Sequence, residues 1–115
     1  MRRGDVYLVN LDPARGAEAN KMRPAVLVSN NAANRTAERN GRGVVTVVPI
    51  TSNTERVYPF QIVIAAGEGG LATQSKAQAE QIRSVDYERL HRRLGALNAA
   101  TIRGLDEALR THLGL

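Results

Sequence analysis

Gly43-Val44-Val45-Thr46-Val47-Val48-Pro49-Ile50 is the stretch whose reading decides the fold. It is a β-branched run and reads as a buried strand. The most apolar part, Val44 to Ile50, is seven residues long, against about 20 for a membrane-spanning helix. Upstream, Pro24-Ala25-Val26-Leu27-Val28-Ser29 has the same character. Asp5-Val6-Tyr7-Leu8-Val9-Asn10-Leu11 is apolar with partial alternation and stops at the turn signal Asp12-Pro13. Downstream, Phe60-Gln61-Ile62-Val63-Ile64 forms a fourth strand between Pro59 and the turn Gly67-Glu68-Gly69-Gly70. Four strands separated by loops predict a small antiparallel sheet or a partly closed barrel.

The rest of the chain adds helix. Asn98 is placed to N-cap a helix whose apolar residues Ile102, Leu105, Leu109 and Leu113 share one face. Gly114 is its stop, and Arg103–Glu107 and Asp106–Arg110 are candidate i,i+4 pairs. A shorter helix, capped by Asp86, is expected over Tyr87 to Arg93. Ser75 to Arg83 favours helix by propensity but lies between strand-like runs, and its residues leave the choice open. Asp12–Arg23 and Asn30–Arg42 read as long loops, a feature that often carries function in a small domain. The expected class is mainly β with a packed C-terminal helix.

With 115 residues and 12.5 kDa, the chain has the size of one domain spanning 1–115. The absence of cysteine removes disulfides, thiolate metal sites and cysteine nucleophiles. The charged N-terminus, Met1-Arg2-Arg3-Gly4-Asp5, is followed by no apolar signal segment, so a cytoplasmic protein is expected. Sixteen Lys and Arg against eleven Asp and Glu leave +5, and fourteen of the cations are Arg. Arg suits bidentate contact with phosphate, so a polyanionic partner is favoured. Three Tyr, one Phe and no Trp argue against a broad base-stacking platform.

No P-loop, paired-His zinc pattern or dinucleotide-binding glycine turn is present. His91 and His112 stand alone on their segments and read as surface or packing residues, not as an acid–base pair. What remains is polar chemistry at strand ends. Arg23 directly precedes the run from Pro24, and Thr51-Ser52-Asn53 follows Ile50. Neighbouring strand ends can bring Arg23, Thr51 and a loop carboxylate such as Glu18 together. Arg can hold a phosphate by two hydrogen bonds and a Thr hydroxyl can add one. Such donors can stabilise a phosphorane-like transition state without a metal. The structural alternative is that Arg23 pairs with Glu18 and Thr51 caps a turn.

In the order in which they occur, four segments resemble the MazF/PemK toxin family, the ribonuclease halves of bacterial toxin–antitoxin pairs. They are Arg3-Gly4-Asp5-Val6-Tyr7, Gly16-Ala17-Glu18 followed by Arg23-Pro24, Pro49-Ile50-Thr51-Ser52, and Glu80-Gln81-Ile82-Arg83-Ser84. The ending Leu105-Asp106-Glu107-Ala108-Leu109 with Leu113-Gly114-Leu115 is also similar to the family's last helix. The resemblance implies an SH3-like antiparallel barrel with a C-terminal helix, assembled as a homodimer, and makes Ser75–Arg83 strand. It implies metal-independent, sequence-specific cleavage of single-stranded RNA, with no cofactor. Attack by the ribose 2′-hydroxyl would leave a 2′,3′-cyclic phosphate and a 5′-hydroxyl.

By the same resemblance the family's central Arg and Thr fall on Arg23 and Thr51, and Glu18 matches an acidic position linked to the site. A guanidinium loses its proton only above about pH 12. Arg23 is therefore expected to act chiefly as charge stabiliser, Thr51 as a donor to the scissile phosphate, and Glu18 as a weak base or as the residue that orients Arg23. Arg35, Arg39, Arg42 and Lys21 are expected RNA-binding residues, the three arginines through the backbone, which positions RNA without reading bases. Asn53 and Gln78 have the chemistry to read base edges. Lys76 and Gln78 replace apolar residues of the family, and both are within possible reach of substrate. Ala17 stands where many members carry Ser. The expected protein partner is a cognate MazE-like antitoxin whose acidic C-terminal tail covers the RNA groove of a basic toxin. Two other readings share the scaffold: a gyrase inhibitor resembling CcdB, which would depend on His112 to Leu115, and a non-catalytic RNA-binding module.

Overall fold

Strand β3 (Val44–Thr51) is the hub of the molecule. The computed structural model describes residues 1–115 and places six further strands around it: β1 (Asp5–Asn10), β2 (Met22–Leu27), β4 (Gln61–Ile64), β5 (Ser75–Gln78), β6 (Arg83–Asp86) and β7 (Leu90–Ala96). Helix α1 (Asn31–Asn40) joins β2 to β3, and α2 (Ala99–Leu113) closes the chain. All pairings are antiparallel, in the order β4-β5-β3-β2-β1-β7. One edge of β3 carries β2. The other is shared, with β6 along Val44–Val47 and β5 at Ile50 and Thr51. Between β5 and β6 the short 3-10 turn Ala79–Gln81 lets the chain change direction.

The continuous apolar run of β3 follows from burial on both faces. Val45 and Val47 join Ala25, Leu27, Val9 and Leu11 in a core under Ala37 of α1. Val48 and Ile50 join Val6, Val26 and Ile64 in a second core under Leu105, Ala108 and Leu109 of α2. Alternate residues of one strand thus feed two cores.

The expected barrel is an open sheet, because β4 and β7 share no ladder. Packing fills the gap. The turn Glu68–Gly70, within the turn expected there, lies so close to β7 that a Cβ on Gly70 would stand 2.0 Å from the Leu94 carbonyl oxygen. One on Gly95 would stand 2.6 Å from the Gly69 carbonyl carbon.

Other expectations also change. The segment Asn30–Arg42 is mostly helix: the Asn30 side chain accepts from the Ala33 N–H, Asn34 and Ala37 face inward, and Gly41 ends α1 in the left-handed conformation. Asp86 does cap a turn, through the Glu88 N–H, but only Tyr87–Arg89 is helical. Leu90–Ala96 instead becomes β7, recruited by the free edge of β1. Ser75–Arg83 is strand as the resemblance implies, broken by its 3-10 turn. Helix α2 has the expected cap, with Asn98 accepting from Thr101. Leu113 nevertheless lies half exposed while Ala108 takes an inner position. Asp106 pairs with Arg3, and Glu107 with Arg110 at i+3, so neither i,i+4 pair forms.

Candidate RNA-cleaving site

The ladder between β2 and β3 runs Leu27↔Val47, Val26↔Val48, Ala25↔Pro49. The ladder ends there, and Arg23 and Thr51 each lie two residues beyond its last pair. On the other side Thr51 pairs with Lys76 of β5, which pairs with Val63 of β4. Thr51, Lys76 and Val63 therefore form one row across three strands, with Arg23 beyond the last β2–β3 pair on the other side of Thr51. Arg23 and Thr51 both line a cavity of about 210 Å³, together with Pro24, Ile50, Ser52, Leu71, Ala72, Thr73 and Ser75. Its lining mixes apolar residues with the hydroxyls of Thr51, Ser52, Thr73 and Ser75.

Arg23 and Thr51 each have a defined partner. Arg23 donates from Nε to the Asn20 carbonyl at 2.8 Å and from Nη2 to Asn20 Oδ1 at 3.3 Å. Its Nη1 has no protein acceptor, so the fork retains donors for an anion. Thr51 Oγ1 accepts from the Asn53 N–H at 3.2 Å, the turn-capping role considered above. That bond uses a lone pair and leaves the hydroxyl proton to donate.

Glu18 does not pair with Arg23. Its Oε1 accepts from the Arg15 N–H at 2.5 Å, folding the exposed side chain onto its own loop. Gln81 anchors that loop, accepting from the Ala19 N–H and donating to the Ala17 carbonyl, both at 2.9 Å and on either side of Glu18. Asn20 and Gln81 are thus site-building residues that sequence reasoning missed. Gln81 lay within a quoted motif, which was the available signal.

The expected RNA-binding residues divide. Asn53 is exposed beside the cavity, and its side chain accepts from the Glu55 N–H at 3.2 Å. Lys76 is 7% exposed and donates from Nζ to the Arg56 carbonyl. It ties the chain after Asn53 to the sheet and does not project outward. Gln78 is half-buried, opposite Gln61. Lys21 stands in a left-handed conformation (φ 64°) at the foot of the first loop, with its N–H on Asp12. Arg35, Arg39 and Arg42 are exposed on or just after α1, at the opposite end of β3 from Thr51. At about 3.3 Å per residue, the eight-residue strand separates them from the cavity by on the order of 20 Å.

The perturbed ionisations lie elsewhere, at the β1–β7 edge. Tyr7 is raised from its ordinary 10.0, first by burial and then by the nearby Asp5 carboxylate. Arg93 is raised by its hydrogen bond to Asp5.

Comparison with known proteins agrees with this geometry. A family model described as "PemK-like, MazF-like toxin of type II toxin-antitoxin system" matches residues 2–113. The chain is 60% identical over 115 residues to "Endoribonuclease MazF9" of Mycobacterium tuberculosis (strain ATCC 25618 / H37Rv), covering 100% of this chain and 98% of that protein. Among solved structures it is similar to an "Endoribonuclease in complex with its cognate antitoxin from Mycobacterial species", with TM-score 0.78, 29% identity and coverage of 100% of this chain and 96% of that chain. It is also similar to MazF (Form-I) from Deinococcus radiodurans, with TM-score 0.82, 26% identity and coverage of 100% and 97%. A match over almost the whole length, on a sheet that sets Arg23 beside Thr51, means that the chain belongs to the PemK-like, MazF-like toxin family of type II toxin–antitoxin systems.

Proposed function

We propose that the protein is the toxin of a type II pair, a metal-independent, sequence-specific endoribonuclease acting on single-stranded RNA, mRNA foremost. The observation that carries this reading is that Arg23 of β2 and Thr51 at the end of β3 line one cavity. The scissile phosphate sits between them. The ribose 2′-oxygen attacks phosphorus and the bond from phosphorus to the 5′-oxygen breaks, leaving a 2′,3′-cyclic phosphate and a 5′-hydroxyl. Arg23 stabilises the charge that grows on the phosphoryl oxygens, and Thr51 donates one hydrogen bond to them. The 2′-hydroxyl proton passes to Glu18, whose loop Gln81 anchors, or to water, and the leaving oxygen regains a proton from Arg23 or solvent. Asn53 is the base-edge reader nearest the cavity, with Gln78 further along the sheet, and Lys21 meets backbone phosphate. Arg35, Arg39 and Arg42 engage RNA only where it continues far beyond the cut.

The chain acts as one unit of 1–115, in the cytoplasm, as a homodimer. Growth stops because translation loses its templates. The partner that silences it is a cognate MazE-like antitoxin with an acidic C-terminal tail, complementary to a chain of charge +5.

The test is incubation with a long defined RNA in EDTA, beside Arg23→Ala. Wild type should give discrete cuts with cyclic-phosphate and 5′-hydroxyl ends, and Arg23→Ala should be slower by roughly 10²–10³. Intact RNA across many sequences would overturn the reading, and cutting that EDTA abolishes would overturn its metal-free mechanism.

A further inference from the structure

The chain has four aromatic residues other than histidine, and two of them meet at the surface. Tyr7 and Tyr87 pack against a core. Tyr58 and Phe60 instead stack on each other, with ring centroids 5.2 Å apart and planes 3° from parallel. Tyr58 is 40% exposed. The Arg56 guanidinium carbon lies 5.8 Å from the Tyr58 ring centroid, and its Nη1 donates to the Tyr58 hydroxyl at 3.1 Å. Val57 and Val63 lie exposed nearby in the chain.

This stack is held in place by the same row that builds the cleavage site. Lys76, the ladder partner of Thr51, holds the Arg56 carbonyl. Two residues on, the Tyr58 N–H donates to Gln61 Oε1 at 3.1 Å, and Gln61 Nε2 in turn donates to Glu80 at 2.7 Å. The chain from Thr51 to Phe60 thus leaves the cavity, crosses Lys76 and ends in a fixed aromatic pair beside β4. Two strand spacings, about 10 Å, separate β3 from β4.

We propose that Tyr58, backed by Phe60 and faced by Arg56, is a stacking subsite for one unpaired nucleobase of the RNA, flanking the cleaved step. The inference rests on the ribonuclease reading and assigns that site a base-holding position. A base is a flat apolar face on an anionic thread. It lies against the Tyr58 ring, beside the exposed Arg56 guanidinium that is hydrogen-bonded to the Tyr58 hydroxyl, whose charge meets phosphate. The parallel Phe60 ring keeps Tyr58 from turning. A single stack of this kind agrees with a composition too poor in aromatics for a broad platform.

The experiment uses the full-length protein and a short labelled RNA spanning a mapped cut, with 2′-deoxyribose at the cleaved nucleotide so that it binds uncut. Abasic nucleotides replace each position in turn. Binding is measured for wild type, Tyr58→Phe and Tyr58→Leu, with thermal melting to show that each is folded. One flanking abasic position should weaken wild type about 5- to 100-fold. Tyr58→Leu should weaken the intact RNA by a similar factor and lose sensitivity to that abasic position, while Tyr58→Phe should keep both. Equal binding by wild type and Tyr58→Leu, or a Tyr58→Leu loss that stays the same at every abasic position, would overturn the subsite. If wild type cuts no RNA, the ribonuclease reading falls separately. Binding of oligoadenylate by wild type and Tyr58→Leu then still decides the stack, a loss on substitution supporting it and equal binding ending it.

Discussion

At Arg23 the guanidinium donates twice to Asn20, a neutral partner, so nothing on the protein cancels its charge where a phosphate would sit. A hydrogen bond to a charged group contributes about 1.5 kcal/mol. Asn20→Ala removes only the 3.3 Å side-chain bond, and should therefore lower kcat/KM for RNA cleavage by up to about tenfold and lower the thermal midpoint slightly, checked by initial rates and melting. Away from the site, Tyr7 makes a pH prediction. Its folded pKa is raised above the ordinary 10.0 by burial and Asp5, so the stability it contributes is full below pH 10.0 and is lost as pH rises through the folded value. Tyr7→Phe should remove that part of the alkaline loss, seen as a shallower fall of melting temperature above pH 10.0. That Arg23 and Thr51 come to one cavity was legible because polar residues closing β-branched runs stand out. Asn20 and Gln81 were not, because their roles depend on where a loop lies in three dimensions.

Among the elements, α1 shows how a composition can mislead. Four Asn between residues 30 and 42 suggested a loop, yet the first of them is a cap and another is buried. Asn34 exchanges hydrogen bonds with Ser29, whose hydroxyl also accepts from the Thr46 N–H, so a polar side chain pins the helix to β2 and β3. Removing the cap with Asn30→Ala should cost about 1 kcal/mol of stability, measured by urea unfolding, without altering cleavage. Strand β7 was misread for the complementary reason. Leu90–Ala96 has no strong strand pattern of its own, and only the waiting edge of β1 makes it a strand. The apolar run of β3 was legible because burial on two faces leaves little room for polar residues. Helix α2 was legible because its cap, its stop and most of its buried face follow local rules.

For the molecule as a whole, the seam between the ends of the sheet is its least forgiving place. It is closed against main chain at Gly70 and Gly95, where a Cβ would meet the backbone of Leu94 and of Gly69. Gly95→Ala should destabilise the protein by about 3 kcal/mol or more and leave little soluble material, as judged by expression and thermal unfolding. The sequence presents these positions only as a glycine-rich turn and a solitary glycine, and nothing local says that they meet.

That Arg23 and Thr51 line one cavity has one more implication. Side chains alternate along a strand, so a slip of one residue between β2 and β3 would send Arg23 and Thr51 to opposite faces. The same slip would turn Ala25 and Leu27 out of one core and Val26 out of the other. Bringing Arg23 and Thr51 to one face is therefore coupled to the packing of both cores. A chain in the wrong register loses both cores together with the cavity that Arg23 and Thr51 line.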